Sequence, residues 1–133
     1  MSFEPQLKKN SNIIVIDDEK SIVDFAALIL QELGFIKVSA FTSIKEFMES
    51  NLVFSADLIF IDINLQGTNG LTLLTWIKVK RPSTTVVMFS GDTRKEHVSE
   101  AKMLGATSFL SKLEFDKNVR ELLNKWNVNY PLD

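Results

Sequence analysis

The chain has 133 residues, 45% of them apolar and none of them cysteine, with a formal net charge of −2. That length favours one domain with a real core, and the lack of cysteine excludes disulfides and thiolate chemistry. The pI near 5.4 gives no electrostatic footprint for nucleic acid. No apolar run approaches the roughly 18 residues of a membrane span, and Met1–Asn10 lacks the apolar stretch of a signal peptide. The expectation is a soluble cytoplasmic domain without membrane insertion or direct contact with nucleic acid.

Residues 1–11 read as a flexible lead-in. Asn12–Ile16 (NIIVI) is an apolar run of the kind buried on both faces of a parallel sheet, and it ends on Asp17-Asp18-Glu19. Lys20–Leu33 is helical, with Ile22, Ala26, Ile29 and Leu33 at three- and four-residue steps, and Gly34 stands at the C-cap position. Lys37–Phe41 is a shorter strand. Ser43-Ile44-Lys45-Glu46 matches a capping box and opens a helix to about Asn51. Ala56–Ile63 contains the most apolar run, LIFI, which ends on the lone carboxylate of Asp62. The turn formers Asn64, Gln66, Gly67, Asn69 and Gly70 follow it.

Gly70–Lys80 is a helix with Leu71, Leu74 and Ile77 on one face, and Pro82 forbids its continuation. Thr84–Phe89 (TTVVMF) is a strand ending on Ser90-Gly91-Asp92. Thr93–Leu104 is a helix with Val98, Ala101 and Met103 or Leu104 inward, closed by Gly105. Thr107–Leu110 is a short strand ending on Ser111-Lys112. Phe115–Trp126 is the last helix, with Val119, Leu122, Leu123 and Trp126 apolar. The domain proper spans 12–126, and 127–133 is a tail.

Five strands alternating with five helices imply right-handed βαβ units and a parallel sheet covered on both faces. An open doubly wound sheet fits five units better than a barrel, which needs eight. In such sheets ligands bind beyond the carboxyl ends of the strands. Asp17, Asp18, Asp62, Ser90 and Lys112 all stand at those ends. Three carboxylates together repel one another and need a cation, most simply Mg²⁺. A hydroxyl and an ammonium beside it suit phosphoryl oxygens. His97, the single histidine, lies mid-helix, so no base–hydroxyl pair forms and a carboxylate is the best nucleophile, giving an acyl phosphate.

Each residue also has a plainer reading. A strand-end Asp can cap a helix or face solvent, and Ser90 can cap the helix after it; the five in register weigh against that reading for the set. Phe47, Phe54, Phe60, Phe89, Trp76 and Trp126 read as core or its margins. Arg94, Lys95, Glu96 and Glu100 read as a solvated face.

At these positions the chain resembles the receiver domain of two-component response regulators, over about Asn12–Trp126. The matching parts are the acidic pair, an Asp with Gly eight residues on, Ser90 and Lys112. It is most similar to the stand-alone chemotaxis type. The resemblance implies a flavodoxin-like sheet of order 2-1-3-4-5. It implies that Asp62 accepts a phosphoryl group from a phosphohistidine on a sensor histidine kinase or phosphotransfer protein. Asp18, Asp62 and the Asn64 backbone carbonyl would bind Mg²⁺, with Asp17 acting through metal-bound water. Lys112 would pair with Asp62 and then with the phosphate, Ser90 would hydrogen-bond the phosphate, and Phe109 matches an aromatic switch position. Asn64 and Asp92 would flank attacking water and tune dephosphorylation. The fourth helix, fifth strand and fifth helix would carry the readout to a downstream protein or output domain. The domain would catalyse only its own phosphorylation and dephosphorylation, not turnover of a separate substrate.

Two positions depart from the family: Leu113 replaces the proline usual after the lysine, and Leu65-Gln66-Gly67 lacks the proline common after the phosphoacceptor. A cis bond before Leu113 would cost about 2.5–4 kcal/mol, so a trans bond is expected there. Three rival readings remain. An Asp-nucleophile Mg²⁺ phosphatase of the haloacid-dehalogenase type wants a second Asp where Asn64 stands. A flavodoxin-like cofactor binder wants a phosphate-cradling loop where Asp17-Asp18-Glu19 stands. A pseudo-receiver interaction module would lack some site residues, and all five are present.

Overall fold

A computed structural model describes residues 5–65, 68–91 and 95–132, with the backbone alone for 95 and 96. In chain order the elements are β1 (Asn12–Ile16), α1 (Lys20–Glu32), β2 (Lys37–Phe41), α2 (Ile44–Glu49), a 3₁₀ turn (Leu52–Ser55), β3 (Leu58–Asp62), β4 (Asn64–Leu65), β5 (Thr68–Asn69), α3 (Gly70–Lys80), β6 (Thr85–Ser90), α4 (Lys95–Met103), β7 (Ser108–Ser111) and α5 (Phe115–Lys125). Five strands form one parallel sheet in the order β2-β1-β3-β6-β7. Counting only these long strands, the order is 2-1-3-4-5, the flavodoxin-like arrangement.

Strand alternation divides the core in two. Ile13 and Val15 on β1, with Phe60, Val87 and Phe89, face Val23, Ala26 and Leu30 of α1 and Phe115, Val119 and Leu123 of α5. Ile14, Ile16, Ile59, Ile61, Val86 and Met88 face Phe47 of α2, Leu74 and Ile77 of α3 and Ala101 of α4. Both faces of β3 are therefore covered and all five of its residues are buried. This is why its sequence is an unbroken apolar run instead of an alternating one.

The strand ends are level. Ile16 pairs with both Phe41 and Ile61, Asp62 with Phe89, and Ser90 with Ser111. That register brings the polar residues following each strand to one rim. Local signals in the chain set the turns between them. Ser43 Oγ accepts from the Glu46 N–H at 3.2 Å and the Asn69 side-chain oxygen accepts from the Leu71 N–H at 2.8 Å, capping α2 and α3. Gly34 takes the left-handed conformation just beyond α1, at φ 108.

Several expectations are corrected. Met103 and Leu104 do not point inward; Met103 is 87% exposed and Leu104 38%. With Ala101 buried, the helical step of about 100° per residue carries Met103 to the opposite face and Leu104 to the margin. Phe54 is also exposed, because the 3₁₀ turn turns Val53 inward instead. The segment after Asp62, read as a plain loop, contains the antiparallel pair Asn64–Asn69 and Leu65–Thr68. Among the described residues, parts of 5–11 and of 126–132 contact the domain. Ile36 N–H donates to Lys9 O and Leu132 N–H to Leu33 O. Val128 is buried, with Leu7, Tyr130 and Leu132 against the same core cluster.

Candidate functional site

Asp17 follows β1, Asp62 closes β3, Ser90 closes β6 and Lys112 follows β7, so four parallel strands deliver four polar groups to one place. Asp17 and Ser90 are fully buried and Asp62 is 3% exposed, while Asp18 is exposed at the mouth. Carboxylate oxygens of Asp17, Asp18 and Asp62 lie within 4.8 Å of one another. The Lys112 ammonium reaches in between two of them, 2.7 Å from Asp17 Oδ2 and 3.0 Å from Asp62 Oδ2. The other oxygens are held by backbone. Asp17 Oδ1 accepts from the Glu19 N–H at 3.0 Å and Asp62 Oδ1 from the Asn64 N–H at 3.1 Å.

Burial is the main force on the Asp17 carboxyl, and with the nearby charge of Asp62 it pushes the pKa up to about 6, against the opposing pull of Lys112 and the Glu19 amide. Burial alone would lower the pKa of Lys112, but its contacts with the two carboxylates outweigh burial and raise it. The site therefore holds a firmly charged ammonium and more carboxylate than that ammonium neutralises. Asp17 Oδ2 is buried and takes no regular hydrogen bond among the described residues; it meets Lys112 as a charge. Oxygen-only ligands, an excess of negative charge and a buried oxygen in this state fit a hard divalent cation such as Mg²⁺.

Gly70 sets the shape of the rim. A Cβ there would stand 2.2 Å from the Asp62 carbonyl oxygen and 2.9 Å from Ile63 Cα. Its N–H donates to Ile63 O at 2.9 Å, so the start of α3 lies directly against the end of β3. The glycine eight residues after Asp62 is thus required by contact. Asn64 is exposed beside Asp62. Phe109 pairs with Met88 in the sheet and packs, half-buried, against the α3–α4 side of the core. Asp92 lies outside the described residues.

The bond between Lys112 and Leu113 is trans, and the lysine reaches both acids with it so. A residue that the sequence reading passed over, Asn118 on α5, donates from Nδ2 to the carbonyls of Ser111 and Leu113. A groove of about 460 Å³ opens beside Asp18, between Thr42–Lys45 and the β4–β5 pair. A larger cavity of about 640 Å³ lies near Leu7, Lys78 and Thr107 and is lined by none of these acids.

Fold and site together define a flavodoxin-like α/β domain with an acidic, oxygen-lined pocket at the carboxyl edge of its sheet. The family model described as the response regulator receiver domain matches residues 13–124, and the chain belongs to that family, the receiver of two-component systems. The transcriptional regulatory protein LytR of Staphylococcus aureus is 30% identical over 114 residues, covering 84% of this chain and 45% of LytR. The chain therefore spans about half the length of that relative. The BeF3-activated DrrB receiver domain has a TM-score of 0.79 at 22% identity, covering 90% of this chain and 99% of that one. CheY in a CheX–CheY–BeF3–Mg complex from Borrelia burgdorferi has a TM-score of 0.77 at 22% identity, covering 87% and 89%. These two structures share the fold.

Proposed function

We propose that the chain is a phosphorylation-controlled switch in which Asp62 receives a phosphoryl group from a phosphohistidine. The observation that carries this reading is the Lys112 ammonium set between buried Asp17 and Asp62, with a third carboxylate within 4.8 Å. An Asp62 carboxylate oxygen attacks phosphorus in line, the P–N bond breaks, and the imidazole leaves with the electron pair. Lys112, already within 3.0 Å of the nucleophile, neutralises charge gathering on the phosphoryl oxygens. Asp18, Asp62 and the Asn64 carbonyl would hold Mg²⁺, with Asp17 acting through metal-bound water, and the ion would supply further charge neutralisation at the site.

The Ser90 hydroxyl then hydrogen-bonds the new phosphate, and half-buried Phe109, three residues before Lys112, changes rotamer. The surface of α4, β7 and α5 carries the change to a downstream protein or an output domain. The donor is a sensor histidine kinase or phosphotransfer protein in the cytoplasm. Small polar groups at Asn64 and Asp92 leave room for water, so the phosphoryl state decays on its own; a bulky or basic residue at 64 slows that decay. The chain acts catalytically only on its own Asp62, through a domain comprising 12–126.

The test is phosphotransfer from a labelled phosphohistidine protein to wild type and to Asp62→Asn, with circular dichroism as the control for folding. The wild type takes the label and the folded variant does not. Labelling retained in Asp62→Asn would refute the assignment.

A further inference from the structure

Lys112 acts with its ammonium, yet the chain lacks the proline that the family places after this lysine, and the next residue, Leu113, is 75% exposed. An exposed leucine contributes little to holding a loop. Other groups fix the backbone here. The Lys112 N–H donates to Ser90 O at 2.9 Å, extending the β6–β7 ladder by one bond. The Leu113 N–H donates to Ser111 Oγ at 3.1 Å. The carbonyls on either side of Lys112 converge on one atom: Asn118 Nδ2 lies 3.3 Å from Ser111 O and 3.0 Å from Leu113 O. Asn118 is itself fixed in the first turn of α5, where its N–H donates to Glu114 O at 2.9 Å.

We infer that Asn118 is a positioning residue for the phosphoacceptor site, tying together the carbonyls of the two residues that flank Lys112, Ser111 and Leu113, so that the ammonium stands between Asp17 and Asp62. Both of its partners are carbonyls, so the side chain must present two N–H groups there. Aspartate has the same shape and no N–H at that position, and it would direct oxygen at both carbonyls. A four-methylene stem otherwise has many rotamers. Fixing its root on three sides removes much of that freedom before charge pairing begins. Asn118 touches neither the acids nor the phosphoryl group; it acts through Lys112.

The inference rests on the reading of Asp62 as phosphoacceptor, and the experiment separates the two. Wild type, Asn118→Asp, Asn118→Ala and Asp62→Asn are compared with a small phosphodonor, phosphoramidate, at saturating Mg²⁺. The maximal labelling rate of both Asn118 variants falls, by roughly three- to tenfold for loss of one or two modest hydrogen bonds. The Mg²⁺ concentration at half-effect stays within about twofold, because the three acids are untouched. Amine-reactive labelling of the metal-free proteins, read at the Lys112 peptide well below the melting temperature, finds Lys112 shielded in wild type and several-fold more reactive in both variants. A merely structural asparagine would lower the melting temperature without moving that ratio. Absence of label on wild type would fail the phosphoacceptor reading. A labelled wild type whose Asn118 variants keep both its rate and its Lys112 shielding would overturn the clamp.

Discussion

Asp17 is a buried carboxyl at the rim whose charge burial disfavours. It is fully buried beside Asp62, and one ammonium serves both. Its folded-state pKa of about 6 lies above its ordinary 3.8, so the folded protein holds the proton more tightly than the unfolded chain. The associated stability is fully present below about pH 4 and is lost as pH rises through about 6. In EDTA, Asp17→Asn should therefore melt higher than wild type at pH 7.5, with the gap closing towards pH 4; thermal scans across that range check it. Gly70 makes a contrasting prediction. A Cβ there meets the Asp62 carbonyl at 2.2 Å, so Gly70→Ala should destabilise the fold by about 2–3 kcal/mol in urea titration. It should also displace the rim that carries Asp62.

Elements were legible in the sequence where the signal was local and strong. β3 is an unbroken apolar run because both faces are covered, and the cap at Ser43 and the turn at Gly34 needed only short-range chemistry. The rim acids were legible because strand ends in a parallel sheet share one edge. Weaker signals failed for physical reasons. α4 offers a narrow buried stripe, so Met103 could not be placed by apolarity alone. The β4–β5 pair is two residues long on each side, below any alternation pattern. Asn118 acts through a side-chain amide seven residues from its partner in β7, and nothing in the local pattern marks it. In 127–133 the apolar residues Val128, Tyr130 and Leu132 fall at every second position, but Pro131 interrupts a run too short to read as a strand; even so, Val128 is buried and Leu132 bonds to Leu33. Deleting 127–133 should cost about 2–4 kcal/mol of stability. Gly34→Ala, whose Cβ would stand 2.5 Å from Leu132 N, should lose the part of its cost due to that contact in the shortened chain and keep the strain of its positive φ. A double-mutant cycle by denaturant titration measures that coupling.

At the scale of the whole molecule, a sheet covered on both faces delivers three acids and one lysine to one edge. Fold stability and cation binding at that edge would therefore be linked. Millimolar Mg²⁺ should raise the melting temperature of wild type by mass action, and Asp18→Ala should lose most of that shift; an equal shift in the variant would exclude Asp18 as a direct ligand. The same arrangement packs α4 and α5 against β7, the strand that leads into Lys112, and on the proposed reading that surface would carry a change at the rim outward. All of this depends on Asp62 being the group that is modified. Wild-type protein is incubated with phosphoramidate and Mg²⁺, and peptide mass spectrometry then locates the modification. The account predicts one phosphoryl group on Asp62, absent when EDTA replaces Mg²⁺. A phosphoryl group on another residue, or none on a folded, Mg²⁺-saturated protein, would contradict it.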